Sequence, residues 1–121
     1  MAKMILFDRE TGKLSWVDAN SLEDYYRYLK CDCIDIPSRR VGTVYYDIIC
    51  DDNGLLVEEP IVSAVDSNYK PMLVGNLLFC HYDEDGEETD CIEADMINLR
   101  RNLLYAFMPD GSKFAVLRVD Y

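Results

Sequence analysis

Residues 72–82 constrain the fold more than any other segment. The stretch reads Met-Leu-Val-Gly-Asn-Leu-Leu-Phe-Cys-His-Tyr, so apolar side chains occupy both alternating sets of positions. Neighbouring side chains of a strand point to opposite faces, and a strand that is apolar on both needs packing on both. The sequence therefore predicts a long central strand covered on both sides, with a bulge or close backbone approach at Gly75-Asn76.

Two segments have the apolar spacing of amphipathic helices. Asn20-Ser21 precede an i, i+3, i+4, i+7 pattern, which predicts a helix over 21–30 made of Leu22, Tyr25, Tyr26 and Leu29. A second pattern predicts a helix over 95–107 with the apolar residues Met96, Leu99, Leu103 and Phe107.

The remaining apolar runs are short and rich in β-forming residues. They predict strands over 3–8, 13–18, 32–38, 43–50 and 113–119. Asp51-Asp52-Asn53-Gly54 has the composition of a tight turn, and residues 55–71 show no regular period beyond one turn of helix. We expect a single α+β domain over 1–121, with a mostly antiparallel sheet and both helices packed on one face.

Charge is concentrated in the middle of the chain. The net charge is −11, and residues 41–99 contain fourteen acidic residues against one base, Lys70. Direct nucleic-acid binding requires cations that neutralise phosphates, so we expect none. The first apolar run is too short for a signal peptide and no segment is long enough to span a membrane. Five cysteines without a secretory signal indicate free thiols and a cytoplasmic protein.

No metal, cofactor or catalytic motif is complete. Cys31-x-Cys33 and Cys80-His81 supply too few ligands on one side of a strand for zinc, and buried thiols are the favoured interpretation. The acidic turn after Asp83 lacks the glycine and glutamate positions of an EF-hand loop. We expect no enzyme activity, no cofactor and a His81 partly buried in the core; a catalytic His81 would need a carboxylate or thiol beside it in the fold.

Basic and aromatic residues suggest a site for an anion. Arginine binds phosphate or carboxylate through its planar fork, tyrosine offers a stacking surface, and asparagine can bond the edge of a base. The candidate ligand-binding residues are Arg39, Arg40, Tyr45, Tyr46, Asn68, Tyr69, Lys70 and Asn76. The alternative is that Arg39 and Arg40 lie in a turn and neutralise nearby acids.

Three stretches form a recognisable combination. They are the opening hairpin with 21–24 and 31–36, the turn 51–54 with Leu55, Leu56 and Pro60, and Val74-Gly75-Asn76-Leu77-Leu78-Phe79 with the acidic turn and helix after it. Together they resemble a family of small domains encoded by bacteriophages and mobile elements, domain of unknown function 3846. The resemblance covers about 3–105 and leaves 108–121 as a C-terminal strand extension. It implies a phage or mobile-element setting, in a bacterial host cytoplasm, and carries no established catalytic residues.

Two functions are consistent with these features. In the first, a phage accessory protein, expected to form a homo-oligomer, sequesters a small anionic host metabolite such as a nucleotide immune signal, as a counter-defence. In the second, the acidic middle of the chain binds and inhibits a basic host protein, as an interaction module or DNA mimic. Loss of binding in Arg39→Ala or Arg40→Ala would favour the first, and steep salt dependence the second.

Overall fold

A computed structural model describes residues 2–52, 62–107, 109–111 and 113–121, which form two β-sheets and two short helices. The predicted turn at Asn53-Gly54, Leu55, Leu56 and Pro60 lie outside these residues. The elements in chain order are β1 (Ala2–Asp8), β2 (Lys13–Ala19), α1 (Leu22–Leu29), β3 (Ile34–Asp35), β4 (Ser38–Val41), β5 (Val44–Asp51), β6 (Val62–Val65), β7 (Pro71–Val74), β8 (Leu77–Tyr82), β9 (Glu88–Thr89), α2 (Glu93–Arg101), β10 (Leu103–Phe107) and β11 (Lys113–Arg118).

The two sheets differ in their strand directions. The first has the order β2-β1-β8-β5-β3, with β4 also paired to β5 and β9 to β8, and all of these pairs are antiparallel. The second has the order β10-β11-β6-β7, in which β11 and β6 are parallel. In the described part of the chain, neither helix is long and apolar enough to cross a membrane.

The predicted long strand over 72–82 is two strands in two different sheets. β7 pairs with β6 in the second sheet, whereas β8 pairs with β1 and β5 in the first. Gly75 has a φ of 73°, in the left-handed region that glycine enters without strain, and the chain passes there from one sheet to the other.

Both faces of β8 are buried. Leu78 and Cys80 lie on the face covered by α1, where they pack near Tyr25 and Leu29. Leu77 and Phe79 lie on the opposite face. The core on that face includes Met96 and Leu99 of α2 and Cys91, which precedes this helix. It also includes residues in or next to the second sheet: Ala64, Leu73, Leu117 and Val119. The central strand is therefore covered by a helix on one side and by a helix with a second sheet on the other.

The predicted fold class was wrong. The protein is mostly β, with two sheets rather than one, and its two helices cover opposite faces of the first sheet. The predicted second helix also ends early, at Arg101, because residues 103–107 pair with β11 as a strand. The α-helical and β-strand patterns both fit Leu103 and Phe107, and pairing with β11 selects the strand.

The C-terminal extension forms part of the core. β11 lies between β10 and β6, so it is an interior strand of the second sheet. Leu117 and Val119 are fully buried in the same cluster as Phe79. Residues 113–119 therefore help to bury the sheet that carries β8.

Candidate functional site

A cleft opens between the tips of two hairpins, the β1–β2 hairpin of the first sheet and the β10–β11 hairpin of the second. We call it the hairpin cleft. Its volume is about 530 Å³, and it is lined by Arg9, Glu10, Thr11, Gly12, Lys13, Tyr105, Lys113, Phe114 and Ala115. Pockets that bind small molecules are commonly of this size.

Arg9 is the most unusual residue of the hairpin cleft, because its charged side chain is only 8% exposed. It follows Ile5 and Phe7 at strand spacing, so it points to the core face of β1. Its Nη1 donates to the carbonyl of Val62 at 2.8 Å and to that of Ala115. The guanidinium lies 4.2 Å from the ring centre of Phe114 and 5.2 Å from that of Phe7.

The charge of Arg9 is not balanced by an ion pair within the part of the chain that the structure describes. Within the described residues, no carboxylate oxygen lies within 4.0 Å of the guanidinium, and its buried Nε has no hydrogen-bond partner. Burial lowers the pKa of Arg9, although nearby Asp8 opposes that shift. An arginine still keeps its proton at neutral pH, so a buried cation lines the cleft without an ion pair to any described residue.

Two lysines and a tyrosine complete the cationic side of the cleft. Lys13 begins β2 and Lys113 begins β11, and both are exposed. The Nζ of Lys113 lies 6.0 Å from the ring centre of Tyr105, which is 60% exposed. The acid in this cleft, Glu10, has its own cation, because Lys30 Nζ lies 3.5 Å from its carboxylate.

The arginines and tyrosines predicted as a site on β4 and β5 do not form one pocket. Arg40 donates to the carbonyl of Gly42 at 2.7 Å and lies 3.9 Å from Asp120. Tyr46 is buried and Tyr45, opposite Arg40 in the sheet, is exposed. Arg39 lies over the ring of Tyr121 and lines a separate cavity of about 190 Å³, whose acidic residues are Asp35, Asp51 and Asp52.

The other predicted residues lie closer to the hairpin cleft. Asn68, Tyr69 and Lys70 form the exposed connection between β6 and β7. Tyr69 lines an apolar groove of about 360 Å³ that shares Tyr105 and Phe114 with the hairpin cleft. Asn76 accepts a hydrogen bond from the backbone N–H of Arg9 at 2.9 Å and donates to the carbonyl of Tyr28 at 2.8 Å, so its side chain holds Arg9 in place.

Sequence reasoning missed the residues of the hairpin cleft. Arg9 and Lys113 are far apart in the chain, and only the packing of the β1–β2 turn against β11 brings them together. One signal was present: Arg9 continues the alternation of Ile5 and Phe7, which places a cation on a core face. No comparable signal marks Lys113 or Tyr105.

His81 does lie beside a carboxylate and a thiol. Its Nε2 is 3.3 Å from Asp95 Oδ1, and the donor atoms of His81, Asp95 and Cys91 all lie within 4.8 Å of one another. Burial, followed by the charges of Asp95 and Asp90, raises the pKa of Cys91 to about 12. The thiol therefore carries its proton at neutral pH and is a weak nucleophile without further activation.

Comparison with known proteins gives one relationship. No curated protein and no solved structure matches the chain significantly. A family model described as Domain of unknown function (DUF3846) matches residues 2–103, which covers both helices, the first sheet, β6 and β7 of the second sheet, and the first residue of β10. The chain therefore belongs to this family of domains of unknown function.

Proposed function

We propose that the protein binds a small anionic metabolite with an aromatic group, such as a nucleotide, in the hairpin cleft. The observation that carries the proposal is Arg9, a cation that is 8% exposed, lines a cavity and has no carboxylate partner in the described chain. Burying an uncompensated charge is costly, and an anion entering the cleft supplies the missing counter-charge.

The other cleft residues fit the two parts of such a ligand. Lys13 and Lys113 stand at the mouth, where they can contact a phosphate or carboxylate beside Arg9. Tyr105 and Phe114 offer ring faces for a planar base, and the apolar groove beside them extends that surface. A chain with a net charge of −11 repels anions in general, so a local group of three cations is needed to hold one.

In this proposal the protein acts without chemistry, by sequestration. The setting is a phage or mobile element in a bacterial cytoplasm, where removal of a nucleotide signal would blunt a host defence. A homo-oligomer would place several such clefts in one particle and so increase the capacity for ligand.

Nucleotide binding tests the proposal directly. We expect AMP, ATP or a cyclic dinucleotide to raise the melting temperature and to bind in calorimetry at low salt, whereas adenosine binds much more weakly. Lys13→Ala combined with Lys113→Ala should weaken binding by about a hundredfold or more, since hydrogen bonds to charged groups contribute about 1.5–3 kcal/mol each. Lys70→Ala is the matched control, because it removes an exposed lysine outside the cleft.

The outcomes separate the candidate sites. Equal loss of binding in Lys70→Ala and in the double variant would contradict binding in the hairpin cleft. Loss of binding in Arg39→Ala alone would place the site at β4 instead. Native mass spectrometry of protein purified from phage-challenged cells should show a released small mass. If none of the three nucleotides binds and no such mass appears, the proposal fails.

The acidic-surface function remains as a second proposal, supported by the connection between β8 and β9. Asp83, Glu84, Asp85 and Glu87 are all exposed there. Capture of a basic protein that is released by moderate salt, and no longer captured after Glu84→Lys, would favour this function.

A further inference from the structure

Three different metal-binding side chains meet on the face of the first sheet that α2 covers. His81 comes from β8, Cys91 immediately precedes α2, and Asp95 lies in its first turn. Their donor atoms lie within 4.8 Å of one another, and none of the three lines the hairpin cleft. We call this group the His-Cys-Asp cluster.

The spacing of these atoms is close to that of a tetrahedral zinc site. Bonds of about 2.0–2.1 Å from zinc to nitrogen and oxygen place those two ligand atoms about 3.3 Å apart at a tetrahedral angle. The His81 Nε2 to Asp95 Oδ1 distance is 3.3 Å. A zinc–sulfur bond of about 2.3 Å places sulfur about 3.6 Å from the other ligands, so the longest separation in the cluster, 4.8 Å, has to shorten by about 1.2 Å.

The ligands are held by contacts behind them. Tyr46 Oη donates to Asp95 Oδ1 at 2.8 Å, and the backbone N–H of Ile92 donates to Oδ2 at 2.8 Å. Asn98 Nδ2 in turn donates to Tyr46 Oη at 3.2 Å. The rings of Tyr46 and His81 lie 4.8 Å apart, which restricts rotation of the imidazole. Such outer contacts orient metal ligands in known sites.

The cluster is buried on the sulfur side and open on the histidine side. Cys91 is 4% exposed, whereas the side chain of His81 is 29% exposed. A metal ion would reach the cluster beside the part-exposed imidazole, and a water molecule would take the remaining position. Three protein ligands with one open position are typical of catalytic zinc sites, whereas structural sites use four.

We propose that His81, Cys91 and Asp95 bind a zinc ion, with water as the fourth ligand. Mixed nitrogen, sulfur and oxygen donors select zinc or a similar transition metal, because Mg²⁺ and Ca²⁺ prefer oxygen alone. On binding, the Cys91 thiol gives its proton to solvent and ends its hydrogen bond to the Phe79 carbonyl. In the bound form the neutral imidazole carries its single proton on Nδ1 and binds the metal through Nε2, and the 3.3 Å contact between Nε2 and Asp95 Oδ1 becomes a pair of metal–ligand bonds. No redox step is involved.

Cobalt substitution tests the proposal without any assay of activity. The full chain, reduced and treated with a chelator, should bind one equivalent of Co²⁺ with the near-ultraviolet thiolate-to-cobalt band and strong visible bands of a tetrahedral complex, and Zn²⁺ should displace it. Cys91→Ala should lose the thiolate band. Cys80→Ala is the matched control, because Cys80 is equally buried but faces α1. Tyr46→Phe should weaken binding by about tenfold and leave the band in place.

Two further variants keep the proposal falsifiable. His81→Gln changes a part-exposed side chain and should greatly weaken cobalt binding even if Cys91→Ala fails to fold. Cys33→Ser should have no effect; loss of the band in this variant would assign the metal to Cys31 and Cys33 and overturn the proposal. Absence of a thiolate band in the wild-type protein, or its retention in folded Cys91→Ala, would overturn it as well.

Discussion

Gly12 and Gly86 adopt similar left-handed conformations in different surroundings. Their φ angles are 71° and 77°. A Cβ on Gly12 would lie 3.0 Å from the Cβ of Ala115, whereas nothing lies within 4 Å of a Cβ on Gly86. Gly12 therefore lets the β1–β2 turn approach β11 closely, which closes one end of the hairpin cleft.

We expect Gly12→Ala to destabilise the protein more than Gly86→Ala. Both lose about 1–2 kcal/mol to the left-handed backbone, and Gly12→Ala loses about a further 1–3 kcal/mol to overpacking. Urea denaturation of both variants measures the difference. Equal losses would mean that the turn moves away from β11 without cost.

At single positions, the sequence identified polar side chains that make specific hydrogen bonds, but it did not identify their partners. Tyr46 and Asn76 were predicted to contact a ligand, yet the hydroxyl of Tyr46 bonds to Asp95 and the amide of Asn76 holds Arg9. Both are polar groups in β-rich segments, and nothing local shows which of them face a cavity. Partners of a buried polar group come from distant strands, so they appear only with the fold.

Helix α1 begins where the sequence predicted, because side chains at its N-terminus cap the first turn. Ser21 Oγ accepts from the backbone N–H of Asp24 at 3.2 Å, and Asp24 Oδ2 accepts from that of Asn20 at 3.1 Å. These bonds satisfy amide groups that have no partner within the helix. The hydrogen bond from Asn20, the largest cause, lowers the pKa of Asp24 below 3.8.

The lowered pKa of Asp24 determines how its contribution to the free energy of unfolding changes with pH. The folded pKa of Asp24 is below the unfolded one, so its contribution is present above the unfolded pKa and disappears as pH falls through the folded value. We expect Asp24→Ala to lower the free energy of unfolding at pH 7 and to lose much of that effect well below pH 3.8. Val119→Ala, a truncation in the core cluster opposite α1, is the control, because it leaves the surroundings of Asp24 unchanged. A constant effect of Asp24→Ala across this range would contradict the assignment.

Elements with clear local sequence signals were predicted correctly, whereas the errors arose where pairing with a distant strand decided the secondary structure. Capping residues and apolar spacing located α1, and turn residues separated β1 from β2. Residues 103–107 carry both a helical and an alternating pattern, and the available strand β11 decided between them. The break at Gly75-Asn76 was visible, but its consequence, a change of sheet, depends on strand pairs made elsewhere.

At the scale of the molecule, the second sheet depends on the segment beyond the family match. We expect removal of residues 108–121 to abolish cooperative unfolding, because it takes Leu117 and Val119 from the core and leaves β6 paired only with β7 among the described strands. Thermal unfolding followed by circular dichroism measures this. Removal of Tyr121 alone, which is 76% exposed, should leave the transition cooperative. A cooperative transition in the shorter chain would show that the matched residues fold alone.

The order of strands also bears on how the protein is made. β11 follows all the other described elements in the chain, yet it lies in the interior of the second sheet and pairs in parallel with β6. During synthesis, β6 and β7 emerge well before the strand that completes their sheet. The α1 side of the first sheet can assemble on the ribosome, whereas the opposite side is covered only in part, by α2, until β11 is available. The nascent chain therefore exposes part of this apolar surface until β11 is made, and the hairpin cleft, which needs both hairpins, forms only then.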